Sequence, residues 1–423
     1  MVREPGRAAA TAVLWLATRG VVVLLYAGPQ HWVSGDVSYF ADSLRSLASQ
    51  GPADTLREYP LAGVAVLAVP WLAASVLGGA LGTYTWLLVA LALLADAAFT
   101  AALHCVRGPS RSEALAIWLV GVPLLGATSL ARFDIVPGVL AGAALLLLSR
   151  RPGLAGTAAA AGAAVKLWPA LLLPAMAGRC ESRGPVLRAT AAVATFVVAG
   201  TVAVAGWGRL VSPLAFQSGR GLQIESVAAS PAMVGWVVAP DSYTVSYGPA
   251  HAFEVTGAGV AALAHLSSVL TVLVAVGLMV LWWRLWRAGG TVPGVCWAGL
   301  AAVTGFVVSS RVLSPQYLLW LLPMAAAAVA VAGARRAAQL RWAAGLLVAT
   351  LLTQLEFPVL YGDLVAFRPG SGLAVAVLAA RNAVLVWLCA EAALHAWRVT
   401  AQRGIALARQ PDGPDGRAVD SRR

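Results

Sequence analysis

The sequence predicts an all-α polytopic membrane protein. Of its 423 residues, 60% are hydrophobic and 11% are charged, whereas soluble domains average roughly 45–50% apolar and about 25% charged residues. A bilayer core of about 30 Å needs about 20 apolar residues per helix, so the long apolar runs predict membrane spans. Arginines gather in the short connections between these runs, which is typical of cytoplasmic loops and argues against nucleic acid as a partner.

The apolar runs predict about 11–12 membrane helices. The first run follows a basic start and no small-residue cleavage site follows it, so we expect a retained span with a cytoplasmic N-terminus. We expect residues 1–400 to form one integral membrane domain and residues 401–423 to form a disordered cytoplasmic tail. The candidate spans are 8–27, 61–80, 84–104, 113–130, 134–149, 154–178, 187–206, 257–286, 293–309, 314–332, 338–360 and 371–397.

Arginine positions refine this topology. If every run crossed the membrane, the arginine-rich connections near 107–111 and 150–151 would lie outside, against the usual charge asymmetry. The conflict disappears if 61–80 is a re-entrant or surface helix and 154–178 is a broken hairpin that turns at Lys166–Pro169. Proline and glycine are tolerated at membrane depth where the freed backbone lines a cavity. This topology places the extracytoplasmic loops 28–60 and 207–256 on one face.

The first loop, 28–60, is long and acidic in a chain that is otherwise poor in acids, and we interpret it as the floor of an active site. Asp36 lies just beyond the first span and precedes the aromatic pair Tyr39–Phe40. A partly desolvated carboxylate at this position is suited to act as a general base. The alternative is an acid that stabilises a helix N-terminus, because Asp36 opens a helical stretch.

Lys166 is the only lysine in the chain and lies inside an alanine-rich run. A cation at membrane depth costs about 2.5–3.5 kcal/mol on insertion scales, so it needs an anionic partner or water. An anion contact is the functional interpretation, and snorkelling to the interface beside Trp168 is the alternative.

The segment SSRVLSPQY breaks two apolar runs with polar residues. Pro315 is suited to begin a helix whose free amide groups bind phosphate oxygens. Arg311 can bind two such oxygens at once. Gln316 and Tyr317 belong to the same break. The alternative is an ordinary short turn.

Two further polar sets accompany these segments. Arg132 and Asp134 either form an ion pair with each other or position the first loop. Arg220, Gln223 and Glu225 either bind sugar hydroxyl groups or belong to a solvated loop.

The remaining polar residues predict neither a metal nor a cofactor. The four cysteines lie far apart without a CxxC pair, and the five histidines lack ligand spacing. Asp96, midway along an apolar run, either pairs with a neighbouring helix or relays protons.

Taken in order, these motifs resemble those of polyprenol-phosphate-mannose-dependent α-mannosyltransferases of the type C glycosyltransferase superfamily. The similarity is strongest to the actinobacterial phosphatidylinositol-mannoside mannosyltransferases and covers most of residues 8–397. The motifs are Asp36 in the first loop with EYP at Glu58–Pro60, RFD at Arg132–Asp134, AGAAVKLWPALLLP around Lys166, RGLQIES at Arg220–Ser226 and SRVLSPQYLLWLLP at Ser310–Pro323.

The resemblance implies a type C glycosyltransferase fold in a bacterial plasma membrane, with its active site outside the cytoplasm. It implies a polyprenyl-phosphate sugar as donor and a glycolipid or polysaccharide as acceptor. Asp36 corresponds to the general base, and Arg311, Gln316 and Lys166 are suited to hold the donor phosphate. A second acid beside Asp36 is absent from Asp36–Ser38, which argues against a metal there. Residues implied to bind sugar or acceptor, or to position the site, are Glu58, Tyr59, Arg132, Asp134, Arg220, Gln223, Glu225 and Tyr317.

Two other functions remain open from the sequence. A lipid-linked oligosaccharide polymerase or ligase would also place arginines against a lipid phosphate on this face. A transporter or flippase would use Asp96, Lys166 and Glu356 as an ion relay. The absence of a visible internal repeat and the two long loops fit a transporter less well.

Overall fold

The computed structural model of the protein describes residues 5–248, 251–333 and 336–408, without the side chains of residues 5, 217, 218 and 402–408. Within these residues the chain forms 18 α-helices and one β-hairpin. The helices are α1 (Pro5–Ala27), α2 (Gly35–Arg45), α3 (Leu47–Gln50), α4 (Leu61–Val76), α5 (Leu81–His104), α6 (Arg111–Leu124), α7 (Ile135–Leu147), α8 (Pro152–Val165), α9 (Leu173–Ala177), α10 (Cys180–Ala205), α11 (Gly208–Ser218), α12 (Ser230–Val238), α13 (Val260–Ala288), α14 (Val292–Ser309), α15 (Leu318–Val331), α16 (Ala337–Gln354), α17 (Tyr361–Val365) and α18 (Ser371–Ala408).

Seven helices of the described chain are long and apolar enough to cross a bilayer. The predicted class, an all-α polytopic membrane protein, is confirmed. Several predicted spans are shorter than expected, because the chain breaks them at polar or proline-containing segments. Apolar helices of 10–17 residues occupy Leu61–Val76, Ile135–Leu147, Pro152–Val165, Trp168–Ala177, Val227–Val238 and Pro315–Val331.

Helix α4, in the predicted re-entrant segment 61–80, adds no net crossing of the bundle. Tyr26 near the end of α1 contacts Trp86 near the start of α5, with ring centroids 5.9 Å apart. Thr11 near the start of α1 lies 3.1 Å from His104 at the end of α5. The two helices are therefore antiparallel, and the chain leaves α1 and begins α5 at the same end of the bundle.

The predicted break within 154–178 is also present. Lys166 follows α8 with an extended backbone (φ −152°, ψ 126°), and a 3-10 helix, Trp168–Leu172, leads into α9. Gly156 near the start of α8 lies so close to Val186 near the start of α10 that a Cβ atom would approach the Val186 carbonyl oxygen to 2.8 Å. Because α8 and α10 begin at the same end, the intervening chain turns back at Lys166.

Two ends of the bundle can now be distinguished. The arginine end holds the connections after α5, α7, α9, α13 and α15. There Gly290 N donates to Gly178 O at 3.1 Å, and Arg336 pairs with Glu113 at 3.1 Å. The loop end holds the first loop, the α6–α7 connection, Lys166, residues 206–259 and residues 310–317. The largest core cluster lies between these ends around α14 and α15, and α15 is apolar and buried on nearly every side.

The second loop contains regular structure, because β1 (Tyr243–Tyr247) and β2 (Phe253–Gly257) form an antiparallel hairpin. The residues of β1 alternate threonine and serine with larger side chains, which favours a strand. The tail predicted to be disordered from residue 401 is helical through Ala408, and residues 409–423 lie outside the described residues.

Candidate active site

A cavity of about 820 Å³ opens at the loop end of the bundle. Its walls come from the first loop, the α6–α7 connection, the break at Lys166, the second loop and the segment before α15. The structure brings eleven of the twelve predicted site residues to this cavity, although the first and the last are 281 positions apart in the sequence (317 − 36). They are Asp36, Glu58, Tyr59, Arg132, Lys166, Arg220, Gln223, Glu225, Arg311, Gln316 and Tyr317.

Asp36 lies in the first turn of α2 and faces the cavity. The adjoining face of α2, which includes Val37, Phe40 and Leu44, is buried against α4 and α5. This amphipathic pattern fixes the orientation of the helix. The Asp36 side chain keeps 41% of its surface exposed, and its Oδ2 lies 3.0 Å from Arg132 Nε. The carboxylate is therefore held in place and remains accessible from the cavity.

Arg132 and Asp134 do not pair with each other, which corrects one of the two interpretations of the RFD motif. Arg132 is buried, pairs with Asp36, and donates through Nη1 to Val33 O at 3.1 Å. It thus positions the first loop, as the second interpretation predicts. Asp134 accepts from Lys166 Nζ and from Trp320 Nε1, each at 2.7 Å. Asp134 lies behind the cavity wall and does not line the cavity. It contacts Lys166, which does.

Lys166 reaches the cavity from the break after α8. Its ammonium group lies over three aromatic rings at 5.3–5.6 Å from their centroids, those of Tyr59, Phe133 and Trp320. Cation–π contacts and the Asp134 carboxylate compensate a partly buried charge. The side chain therefore has an anionic partner within the protein and does not need to snorkel to the interface.

Glu58 and Tyr59 form the part of the cavity beside α2. Tyr39 donates its hydroxyl hydrogen to Glu58 Oε1 at 2.7 Å. Burial, followed by this hydrogen bond, raises the pKa of the Tyr39 hydroxyl. Burial likewise raises the pKa of Tyr59. Both phenols are therefore hydrogen-bond donors at neutral pH, which suits contact with sugar oxygens.

Arg311 lies at the loop end of α14, at the edge of the cavity towards α13. Its Nε donates to Ala264 O at 3.2 Å and its Nη2 donates to Ser268 Oγ at 2.7 Å. No carboxylate pairs with Arg311 within the described residues. Neutral oxygens hold the guanidinium in place without compensating its charge, so the cavity presents a fixed cation there.

Gln223 connects the second loop to the segment that contains Arg311. Its backbone N donates to Arg311 O at 3.1 Å, and its side-chain oxygen accepts from Leu313 N at 3.0 Å. Its amide nitrogen donates to Glu225 Oε2 at 2.8 Å. Gln223 therefore fixes two walls of the cavity relative to each other. Gln316 and Tyr317 complete the adjacent wall, and the Tyr317 ring stacks on Trp320 at 3.9 Å.

Glu225 is buried at the inner wall, where it meets a second buried acid, Glu356. Arg381 Nη2 lies 3.3 Å from Glu356 Oε2 and donates to the Glu225 carbonyl oxygen at 2.8 Å. Burial, and then the neighbouring Glu356 carboxyl, raises the pKa of Glu225 well above its ordinary value. One arginine thus pairs with the buried Glu356 carboxyl group and, through the main-chain oxygen of Glu225, holds the 220–226 segment.

The aromatic face of the cavity was not predicted from the sequence. Its rings come from the first loop, the β-hairpin and the segment before α17. Tyr39 and His251 have centroids 4.7 Å apart, and Trp32 stacks on Tyr361 at 6.4 Å. A signal was available, because aromatic residues recur in both polar loops. Its lining aromatic residues are Trp32, Tyr39, Tyr247, His251, Phe253, Phe357 and Tyr361.

Arg209 is a second residue that the sequence analysis did not identify. It is buried at the start of α11, and its Nη2 donates to Thr55 O at 3.1 Å and to Leu56 O at 2.9 Å. The second loop thereby anchors the end of the first loop, next to Glu58.

The helical bundle, the apolar spans and one polar cavity define a multi-pass membrane protein with a site for a polar substrate. Residues 52–315 match the model of glycosyltransferase family 87, so the chain belongs to this family of membrane glycosyltransferases. No curated protein and no solved structure matches the chain. The resemblance is therefore confirmed at the level of a membrane glycosyltransferase.

Proposed function

We propose that this glycosyltransferase moves mannose from polyprenyl-phosphate mannose to a hydroxyl group of a glycolipid or polysaccharide acceptor, with inversion at the anomeric carbon. Residues 1–400 form the catalytic domain, and the reaction takes place on the extracytoplasmic face of a bacterial plasma membrane. The observation that carries the proposal is that Asp36 and Arg311, which are 275 residues apart (311 − 36), line the same cavity.

Arg311 is the principal group for the donor phosphate. Its guanidinium is fixed by Ala264 and Ser268 without a carboxylate partner, so an anion gains the full interaction. Lys166 and Gln316 line the same cavity and extend the site. Because the Asp134 carboxylate partly compensates the charge of Lys166, we assign Lys166 a smaller contribution to phosphate binding than Arg311.

Asp36 acts as the general base. As the acceptor oxygen attacks C1 of the donor sugar, its proton passes to the Asp36 carboxylate. The bond between C1 and the phosphate oxygen breaks, and its electron pair leaves with the lipid phosphate. The phosphate gains one negative charge in this step, so fixed cations stabilise the transition state more than the ground state. No general acid is required.

The lipid part of the donor has an apolar route to the cavity. Leu167, Leu171, Leu214 and Phe306 line its side between α11 and α14. Leu167, Leu214 and Phe306 are exposed at the surface of the bundle. A carrier chain can lie against these side chains while its sugar occupies the polar interior.

The aromatic face suits the acceptor. Sugar rings present apolar C–H faces that stack on aromatic side chains, while carboxylates and amides bind their hydroxyl groups. Tyr39 lies one helical turn after Asp36, and His251 lies against Tyr39 in the cavity wall. Glu58 offers carboxylate oxygens that accept hydrogen bonds. We assign Glu58, Tyr59, Arg220, Gln223, Glu225 and Tyr317 to sugar or acceptor binding, and Arg132 and Asp134 to positioning.

The test is transfer of labelled mannose from polyprenyl-phosphate mannose by the purified full-length protein. We expect Asp36→Asn to reduce turnover by about 10²- to 10⁴-fold, the usual contribution of a general base. The melting temperature should fall only slightly, because the amide oxygen of the new side chain, a hydrogen-bond acceptor, can take the place of the carboxylate oxygen beside Arg132. Asp42→Asn is the matched control, because Asp42 lies on the same helix, is 69% exposed and pairs only with Arg45 in the described chain. Full activity of Asp36→Asn would eliminate the base role.

The same assay separates the alternatives. Transfer from a pyrophosphate-linked oligosaccharide, but not from polyprenyl-phosphate mannose, would favour a polymerase or ligase. A transporter is disfavoured by the family match, and the three acids and bases of the relay have separate partners: Arg19 for Asp96, Asp134 for Lys166 and Arg381 for Glu356.

A further inference from the structure

A second cavity, of about 410 Å³, lies between α10 and α13 with its floor on α9. Met279, Trp283 and Trp286 form one wall at helical spacing along α13, and Val186 and Leu187 form the other. Met279, Trp283, Trp286 and Leu187 are exposed at the bundle surface. The volume is within the range of small-molecule sites. This groove is therefore an apolar site that opens sideways from the bundle.

Two arginines lie at one end of this groove. Arg183 is one helical turn before Val186 and Leu187, and Arg287 is one turn after Trp283. The Arg183 guanidinium stacks on the Trp286 ring at 3.7 Å and donates to the carbonyl oxygens of Ala177 and Trp286 at 3.1 and 3.0 Å. Arg287 lies 5.6 Å from the Trp283 ring centroid.

The charges of these arginines are not compensated by the described residues. Neither Arg183 nor Arg287 forms an ion pair in the described part of the chain, and Glu181 in the same turn pairs with Arg179 at 2.5 Å. The guanidinium of Arg183 is nevertheless fixed by stacking and by two carbonyl groups. A fixed planar cation at the end of an apolar groove is complementary to a phosphate group with an attached hydrocarbon chain.

We propose that this groove binds an anionic diacyl phospholipid, with its phosphate at Arg183 and Arg287 and an acyl chain against Trp283 and Met279. A second copy of this chain is a poorer occupant, because the arginine end is strongly cationic and would repel its own equivalent. A neutral lipid would leave both charges without a partner.

The groove is separate from the active-site cavity. Ser268 and Thr271 line that cavity from the first part of α13, whereas Met279, the nearest groove residue on this helix, is eight residues further along (279 − 271). At 1.5 Å per residue this is about 12 Å along the helix axis. The inference therefore does not rest on the proposed reaction.

The test is lipid retention by the full-length protein, purified from nanodiscs of phosphatidylcholine with or without phosphatidylglycerol and measured by native mass spectrometry. At about a fivefold effect for each arginine, we expect Arg183→Gln with Arg287→Gln to weaken phosphatidylglycerol binding by about 30-fold. Arg284→Gln is the matched control, because Arg284 is on the same helix but contacts Thr400 and Trp397.

The wild-type protein supplies a second measurement if the double variant does not fold. Phosphatidylglycerol should be retained over phosphatidylcholine and should raise the melting temperature. Equal retention of the two lipids, stronger retention of polyprenyl phosphate than of phosphatidylglycerol, or dimers in which the groove is covered would each overturn the proposal. The lipid-retention measurement does not depend on mannosyl transfer, so failure of the proposed function and failure of this proposal are distinguishable.

Discussion

Arg132 and Asp134 are two residues apart, yet each pairs with a distant residue. Arg132 pairs with Asp36 on α2, and Asp134 pairs with Lys166 after α8. Arg311, in contrast to Arg132 and Lys166, is held by the neutral oxygens of Ala264 and Ser268. Because the net attraction for an anion depends on how much of a cation's charge is already compensated, we expect Arg311 to contribute more to binding of the proposed donor phosphate than Lys166 does.

At the scale of this residue, we predict that Arg311→Gln lowers kcat/KM for the polyprenyl-phosphate donor by about 10- to 100-fold, the equivalent of a charged hydrogen bond of about 1.5–3 kcal/mol. The KM for the acceptor should change little. Steady-state kinetics with each substrate varied in turn checks this. Arg45→Gln, on the exposed face of α2, is the control. An unchanged dependence on donor concentration would remove Arg311 from the phosphate site.

Among the elements, the 220–226 segment connects three parts of the molecule. Gln223 binds the Arg311–Leu313 segment, Ile224 N donates to Phe253 O of the hairpin at 3.1 Å, and the Glu225 carbonyl accepts from Arg381 of α18. The side chains of Glu356 and Arg381 are fully buried. A buried ion pair of this kind contributes little net energy, but removal of one partner leaves an uncompensated charge.

We therefore predict that Arg381→Met destabilises the protein by about 3–5 kcal/mol. Thermal unfolding in detergent measures this loss, and addition of Glu356→Gln should restore part of it, because the unpaired carboxylate is then absent. Arg45→Met is the control, since the side chains of Arg45 and its partner Asp42 are 52% and 69% exposed. An exposed pair is worth about 1 kcal/mol or less. Equal losses in the two arginine variants would contradict the assigned role of Arg381.

On the scale of the whole molecule, the chain separates its two kinds of polar residue. Arginines gather at one end of the bundle, and the long loops with their carboxylates gather at the other. The positive-inside rule then supports a cytoplasmic arginine end and an extracytoplasmic cavity. The short helix α4 and the hairpin at Lys166 make this arrangement consistent with the charges.

This sidedness predicts a labelling pattern with a membrane-impermeant maleimide. Cys105 and Cys180 are exposed at the arginine end and should react only after the membrane is permeabilised. Asp54→Cys, in a background with Cys105→Ser and Cys180→Ser, should react in intact cells, because Asp54 is 62% exposed in the first loop. Mass spectrometry of the labelled peptides reads the outcome. Labelling of Cys105 in intact cells would reverse the orientation.

The apolar runs and the polar breaks between them were sufficient to predict the membrane class, the hairpin at Lys166 and many of the polar residues that line the cavity. Each of these leaves a local trace, since an isolated charge or proline in an apolar run is costly and must be accommodated. The pairing of those residues left no such trace. Arg132 could pair with Asp134, two residues away, or with Asp36 on a distant helix, and nothing in the sequence shows which of the two is its partner.

The chain by itself therefore determined that apolar helices carry one set of polar residues to a membrane surface. Only the tertiary structure decided that Arg132 binds Asp36, that Asp134 lies behind the wall, and that Tyr39 and His251 share an aromatic face. The physical reason is the difference in range. Hydrophobic burial and charge asymmetry act on each segment of the chain separately, whereas ion pairs and ring contacts require two distant segments to meet within a few ångströms.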